Sequence, residues 1–80
     1  MRASFDIYPN PARDLIYIKN ENAEYAEYRI VNTLGTLLLT GIISSDKRTE
    51  ININGLQSGF YIIYILNSKG SFSSKFIKGR

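Results

Sequence analysis

The sequence predicts an all-β domain, a β-sandwich of about seven short antiparallel strands. Three observations carry this. Runs of β-branched and aromatic residues alternate at period two, as in Thr49–Asn54, where Ile51 and Ile53 turn inward and Glu50, Asn52 and Asn54 outward. Turn signals recur every 8–12 residues or so. No repeat period marks a solenoid or array.

Phe5–Tyr8 reads as the first strand, closed by Tyr8-Pro9-Asn10-Pro11-Ala12. The two prolines fix two φ angles, remove two backbone donors, and push Tyr8 and Asn10 toward extended geometry. Strand pairing is expected to stop there, with the chain leaving in a defined direction. Leu15–Lys19 is the second strand, with Ile16 and Ile18 on one face and Leu15 and Tyr17 on the other. Asn20-Glu21-Asn22 is a turn cluster. A third strand runs from about Tyr25 to Asn32; Ala23, Glu24, Ala26 and Glu27 also tolerate a helix, which Asn20 would cap. Leu34-Gly35-Thr36 is the next turn, with Gly35 supplying φ > 0.

Leu37–Ile42 follows as a strand whose leucines predict burial. Ser44-Ser45-Asp46-Lys47-Arg48 is a polar loop before the Thr49–Asn54 strand. Gly55-Leu56-Gln57-Ser58-Gly59 is a compact turn with Leu56 tucked under it. Phe60–Leu66 is apolar on both faces, the pattern of a central strand covered on both sides. Asn67-Ser68-Lys69-Gly70 is a hairpin turn, and Ser71–Lys78 is the last strand and a candidate edge for strand addition. The whole of residues 1–80 is one domain with its core in about 5–78.

Eighty residues bury roughly 60% of the surface of the unfolded chain. A core and a deep catalytic cleft do not both fit. The chain has no Cys, His or Trp. That removes thiol chemistry, the commonest general base and zinc ligand, and an indole sugar platform. The serines have no His to activate them. The acids Asp6, Asp14, Glu21, Glu24, Glu27, Asp46 and Glu50 fall in turns or on polar faces, without the cleft-flanking pair of a glycosidase. Asp14, Asn20, Glu21 and Asn22 are oxygen-rich but lack calcium-loop spacing. The expectation is no enzyme, no metal and no cofactor.

The formal charge of +3 is unevenly placed. No acid follows Glu50, while Lys69, Lys75, Lys78 and Arg80 do. Lysines of this kind guard an exposed edge strand or steer an acidic partner. Six tyrosines at strand spacing fit packing better than nucleic-acid stacking, and no nucleic-acid partner is expected. Exposed tyrosines such as Tyr17 or Tyr25 keep open a second reading, a non-catalytic adhesion or carbohydrate-binding module. No apolar run approaches the ~20 residues of a membrane helix, and no h-region follows Met1-Arg2-Ala3-Ser4.

The ordered motifs carry a resemblance. Tyr8-Pro9-Asn10-Pro11-Ala12 is followed by Asp14 and Ile16-x-Ile18, then Tyr28-x-Ile30-x-Asn32-x-Leu34-Gly35. Ile51-x-Ile53 and Leu56 come next, then Gly59-Phe60-Tyr61-x-Ile63-x-Ile65, then Lys75-Phe76-Ile77-Lys78. From about residue 7 to 78 this resembles the type A C-terminal sorting domain of the Bacteroidetes type IX (Por) secretion system. The family often shows Asp where Asn32 stands and Lys or Arg where Thr36 stands. The resemblance implies an immunoglobulin-like sandwich at the end of a larger secreted protein, covalently joined to an upstream cargo. It implies passage through the periplasm after Sec export, recognition by the type IX translocon, and removal by a sortase-like peptidase. The cargo then reaches the outer-membrane surface or the medium. Candidate recognition residues are Tyr8, Pro9, Asn10, Pro11, Gly35, Gly59, Tyr61, Lys75 and Lys78, with Lys75 and Lys78 foremost as contacts. An exposed edge also admits a strand-paired dimer of the isolated domain.

Overall fold

A computed structural model describes residues 5–20, 25–43 and 48–80 of the chain. These residues form seven strands: β1 Phe5–Tyr8, β2 Leu15–Asn20, β3 Ala26–Asn32, β4 Leu37–Ile43, β5 Arg48–Asn52, β6 Gly59–Asn67 and β7 Gly70–Lys78. The helix alternative at Ala26 and Glu27 gives way to strand, because Ala26 and Ile30 bury on one face at period two. Of the expected Asn20–Asn22 turn and Ser44–Arg48 loop, all but the end residues lie outside the described residues; Asn20 ends β2 and Arg48 begins β5.

The strands make two antiparallel sheets, ordered β1-β2-β5 and β4-β3-β6-β7. Their inner faces share one core of Ile16, Ile18 and Ile51 from the first sheet and Ile30, Ile63 and Phe76 from the second. Phe5 and Phe72 meet across the layers, ring centroids 5.8 Å apart. Each isoleucine stands in a period-two series, so register is strongly specified: a one-residue slip would expose the whole inner set. The expected all-β sandwich is therefore present, with β6–β7 a hairpin whose Asn67↔Gly70 pair closes the Ser68–Lys69 turn.

Two burial expectations need correction. The Leu37–Ile42 run is not a buried strand. β4 is an edge of the four-stranded sheet, and Leu37, Leu38 and Ile42 are exposed, while Leu39 and Ile43 pack inward. β6 is central within its sheet but is covered on one face only. Tyr61, Ile63 and Ile65 are buried, while Phe60 is 55% and Tyr64 39% exposed. An apolar run predicts two covering layers; the molecule has two layers in all, so the outer face of β6 meets solvent.

A bulge between Ile30 and Val31 shifts the β3–β4 register, pairing Val31 with Leu37 and leaving Leu38 as the extra residue. Farther along, β4 passes close over β3 at Gly41. A Cβ there would stand 2.6 Å from the Tyr28 hydroxyl, so the ring lies in space only glycine leaves open. Burial pushes the Tyr28 phenol above its ordinary value.

Candidate recognition site

The proline segment does not simply end pairing. After β1 the chain crosses from the three-stranded sheet to the outer edge of β7. Both peptide bonds preceding Pro9 and Pro11 are cis. Neither proline has an N–H to offer, and the bonds between the two segments come from their neighbours. The Ile77 amide donates to Asn10 Oδ1 at 2.9 Å, and Asn10 Nδ2 donates to the Lys75 carbonyl at 3.4 Å. The Asn10 carboxamide thus presents to β7 an acceptor and a donor, as a peptide group of a neighbouring strand would. Ala12 continues the seam with its backbone: its N–H donates to the Ile77 carbonyl at 2.7 Å, and its carbonyl accepts from the Gly79 amide at 2.6 Å. Ala12 and Lys78 form a parallel bridge. Arg13 Nε then donates to the Arg80 carbonyl at 2.6 Å. Residues 9–13 are a strap along Lys75–Arg80, the end of the β7 edge and the two residues after it.

The other motifs lie at the same end of the sandwich. Asn32 pairs with Tyr61, and Gly59 with Lys78. Asn32 organises the β3–β4 turn: its Oδ1 accepts from the amides of Leu34 at 2.9 Å and Thr36 at 3.0 Å. Its carbonyl accepts from Gly35, at 3.0 Å, where φ is +85°. A side-chain oxygen suffices for this, so Asn serves as Asp would. Tyr61 is 6% exposed, stacks on Phe76 at 5.6 Å, and donates its hydroxyl to the Gln57 carbonyl at 2.5 Å. That bond pins the Gly55–Gly59 turn to the core, with Leu56 half-buried beneath it. The two turns border a groove of about 370 Å³ lined by Asn32, Leu38, Gln57, Phe60 and Tyr61 among others.

The candidates separate by exposure. Tyr8, Pro9, Asn10, Pro11 and Lys75 are exposed and meet along the strap. Gly35 is exposed at the tip of its turn, and Gly59 is half-buried at the groove. Tyr61 is a core residue. Lys78 is 7% exposed, on the inner side of β7, and its Nζ donates to the Gly79 carbonyl at 2.9 Å. Of the two lysines, Lys75 alone presents its charge to solvent. The expectation of a free β7 edge is also corrected: its C-terminal half is taken by the strap.

Sequence reasoning missed Ala12 and Arg13. Ala12 is fully buried in a segment that reads as loop. Its signal was a small apolar residue directly after a proline. Of the two tyrosines of the carbohydrate reading, Tyr17 is covered, with Arg48 4.5 Å over its ring and Tyr8 tilted against it at 5.6 Å, while Tyr25 is 67% exposed.

The family described as the secretion system C-terminal sorting domain matches residues 6–79, nearly the whole chain. No curated protein matches.

Proposed function

The chain belongs to the family of secretion system C-terminal sorting domains, and on that premise we propose that the strapped end of its sandwich is the surface by which a cargo protein is recognised for type IX secretion. The family is one of sorting signals rather than enzymes, and it implies a secreted cargo that crosses the outer membrane. The finer reading is that translocon proteins dock on Pro9, Asn10, Pro11 and Lys75 together. A sortase-like peptidase then removes the domain, and the cargo is left at the surface or released.

The observation that supports this location is the Asn10 carboxamide bonded to both Lys75 and Ile77. It makes one surface of the first motif in the chain and the last. The strap is held at both ends and carries two fixed φ angles, so little conformational freedom is lost on binding. The exposed Lys75 ammonium would steer an acidic partner toward it.

The test fuses residues 1–80 to a passenger carrying a Sec signal. Export is followed in a type IX-competent strain and in a translocon-deficient mutant. Export only in the competent strain is expected. Deleting β7 would remove Phe76 from the core, so it cannot separate recognition from folding. Lys75→Ala changes an exposed side chain and is the sharper variant: a folded fusion that stays in the periplasm supports the docking role, and full export of it removes Lys75 from the site.

A further inference from the structure

The sheets have four outer edges, and their guarding differs. β1 is only four residues long and carries Asp6. β5 carries Arg48 and Glu50. β7 carries Lys75 and is strapped over its C-terminal half. Short length, charges and a covering segment are the usual means of preventing strand addition. β4 has none of these among the described residues, and its bulge at Leu38 lies near its start, leaving Leu39–Ile43 in regular register with β3. Its seven residues, Leu37–Ile43, contain no charge and no proline. Leu37 and Ile42 are each more than half exposed.

Its free backbone groups can be located. The Thr40 hydroxyl donates to the Tyr28 carbonyl at 3.0 Å, so that carbonyl faces β4. The Asn32 amide donates toward the β4 side as well, to the Thr36 carbonyl. Alternation along the antiparallel pair then turns the N–H and C=O groups of Thr40 and Ile42 outward.

We infer that β4 is a self-association edge, on which a second copy of this chain adds its own β4 antiparallel about a two-fold axis. Three observations select a second copy. The edge is uncharged, so pairing it with itself brings no like charges together. With Thr40 at the axis, Ile42 of one copy faces Leu38 of the other, joining exposed apolar residues on the same outer face. The third is the distribution of charge. Lys75, Lys78 and Arg80 lie on or after β7, at the opposite side of the sheet order β4-β3-β6-β7. Pairing through β4 places these basic edges at the two ends of an eight-stranded sheet, as far apart as the sheet allows. Glu27 and Arg29 on β3 neutralise each other at 3.6 Å. This inference does not rest on the secretion reading.

Sedimentation equilibrium of the 80-residue chain, from about 1 μM to 1 mM, tests it. A monomer–dimer equilibrium is expected. Thr40→Pro removes an outward N–H that β3 does not use, and Ile42→Lys places a charge on the edge; each should weaken dimerisation at least about tenfold. Thr40→Val removes only the hydroxyl and should leave the dimer intact, as should Ser73→Lys on β7. A monomer at all concentrations overturns the proposal. A dimer broken by Ser73→Lys but not by Thr40→Pro also overturns it, assigning the contact to β7. Weakening by Ile42→Lys without weakening by Thr40→Pro overturns it too, in favour of packing between outer sheet faces.

Discussion

The two edges of the four-stranded sheet began as similar problems and were solved differently. β7 closes a hairpin, buries Phe76 completely and is strapped by residues 9–13. β4 is held from one side only, by β3, and turns Leu37, Leu38 and Ile42 toward solvent. The leucine-rich strand looks the more buried in sequence, and the lysine-bearing strand the more exposed. In the structure the two strands alternate exposed and inward residues alike, and what separates them is the covering of the β7 edge. Burial in a two-layer sandwich depends on which face and which edge a strand occupies, and hydrophobic content reports neither.

The largest expected difference lies in the core. Phe76→Ala on β7 should cost about 3–5 kcal/mol, whereas Leu37→Ala on β4 should cost no more than about 0.5 kcal/mol. Urea denaturation of both variants measures the contrast, and equal losses would break it. A smaller effect concerns the strap. Asn10→Ala removes two hydrogen bonds to an exposed edge and should cost about 1–2 kcal/mol. Asn10→Asp should cost at least as much, because it keeps the acceptor for Ile77 but sets a second oxygen against the Lys75 carbonyl. Faster exchange of the Ile77 amide in either variant, with the amides of β3 unaffected, would show the strap opening locally. Unchanged exchange would mean that Ala12 and Arg13 hold the seam without Asn10.

The smallest effect belongs to the β4 side, at Tyr28. Its phenol is raised above its ordinary value by burial, so the folded state holds that proton more tightly than the unfolded state does. The stability this contributes is complete below the unfolded value, about 10, and is lost as pH rises through the folded value. Tyr28→Phe should therefore lose less stability than the parent between about pH 9 and 11, read from urea midpoints at each pH. Parallel curves would show that the ring across Gly41 does not couple to folding.

Most of the fold was legible in the sequence because each strand carries its own evidence. Ile16 and Ile18, and Ile51 and Ile53, state their face by alternation, and Asn67–Gly70 states its turn by composition. The Asn32 turn was legible for the same reason, since a side-chain oxygen acts over two to four residues. The site was legible only as separate motifs. The contact that unites them joins residues 65 and 67 positions apart, and no local pattern encodes it.

The sequence by itself determined the fold class, the strand order along the chain, the inward isoleucines and the family, because these follow from periodicity and ordered motifs within short windows. Tertiary structure alone decided that Asn10 substitutes for a strand, that Lys78 is buried while Lys75 is not, and that β4 is an open edge. Each of these depends on which distant segment occupies the space beside a strand, and that neighbour is set by the packing of two sheets rather than by any residue's own preference.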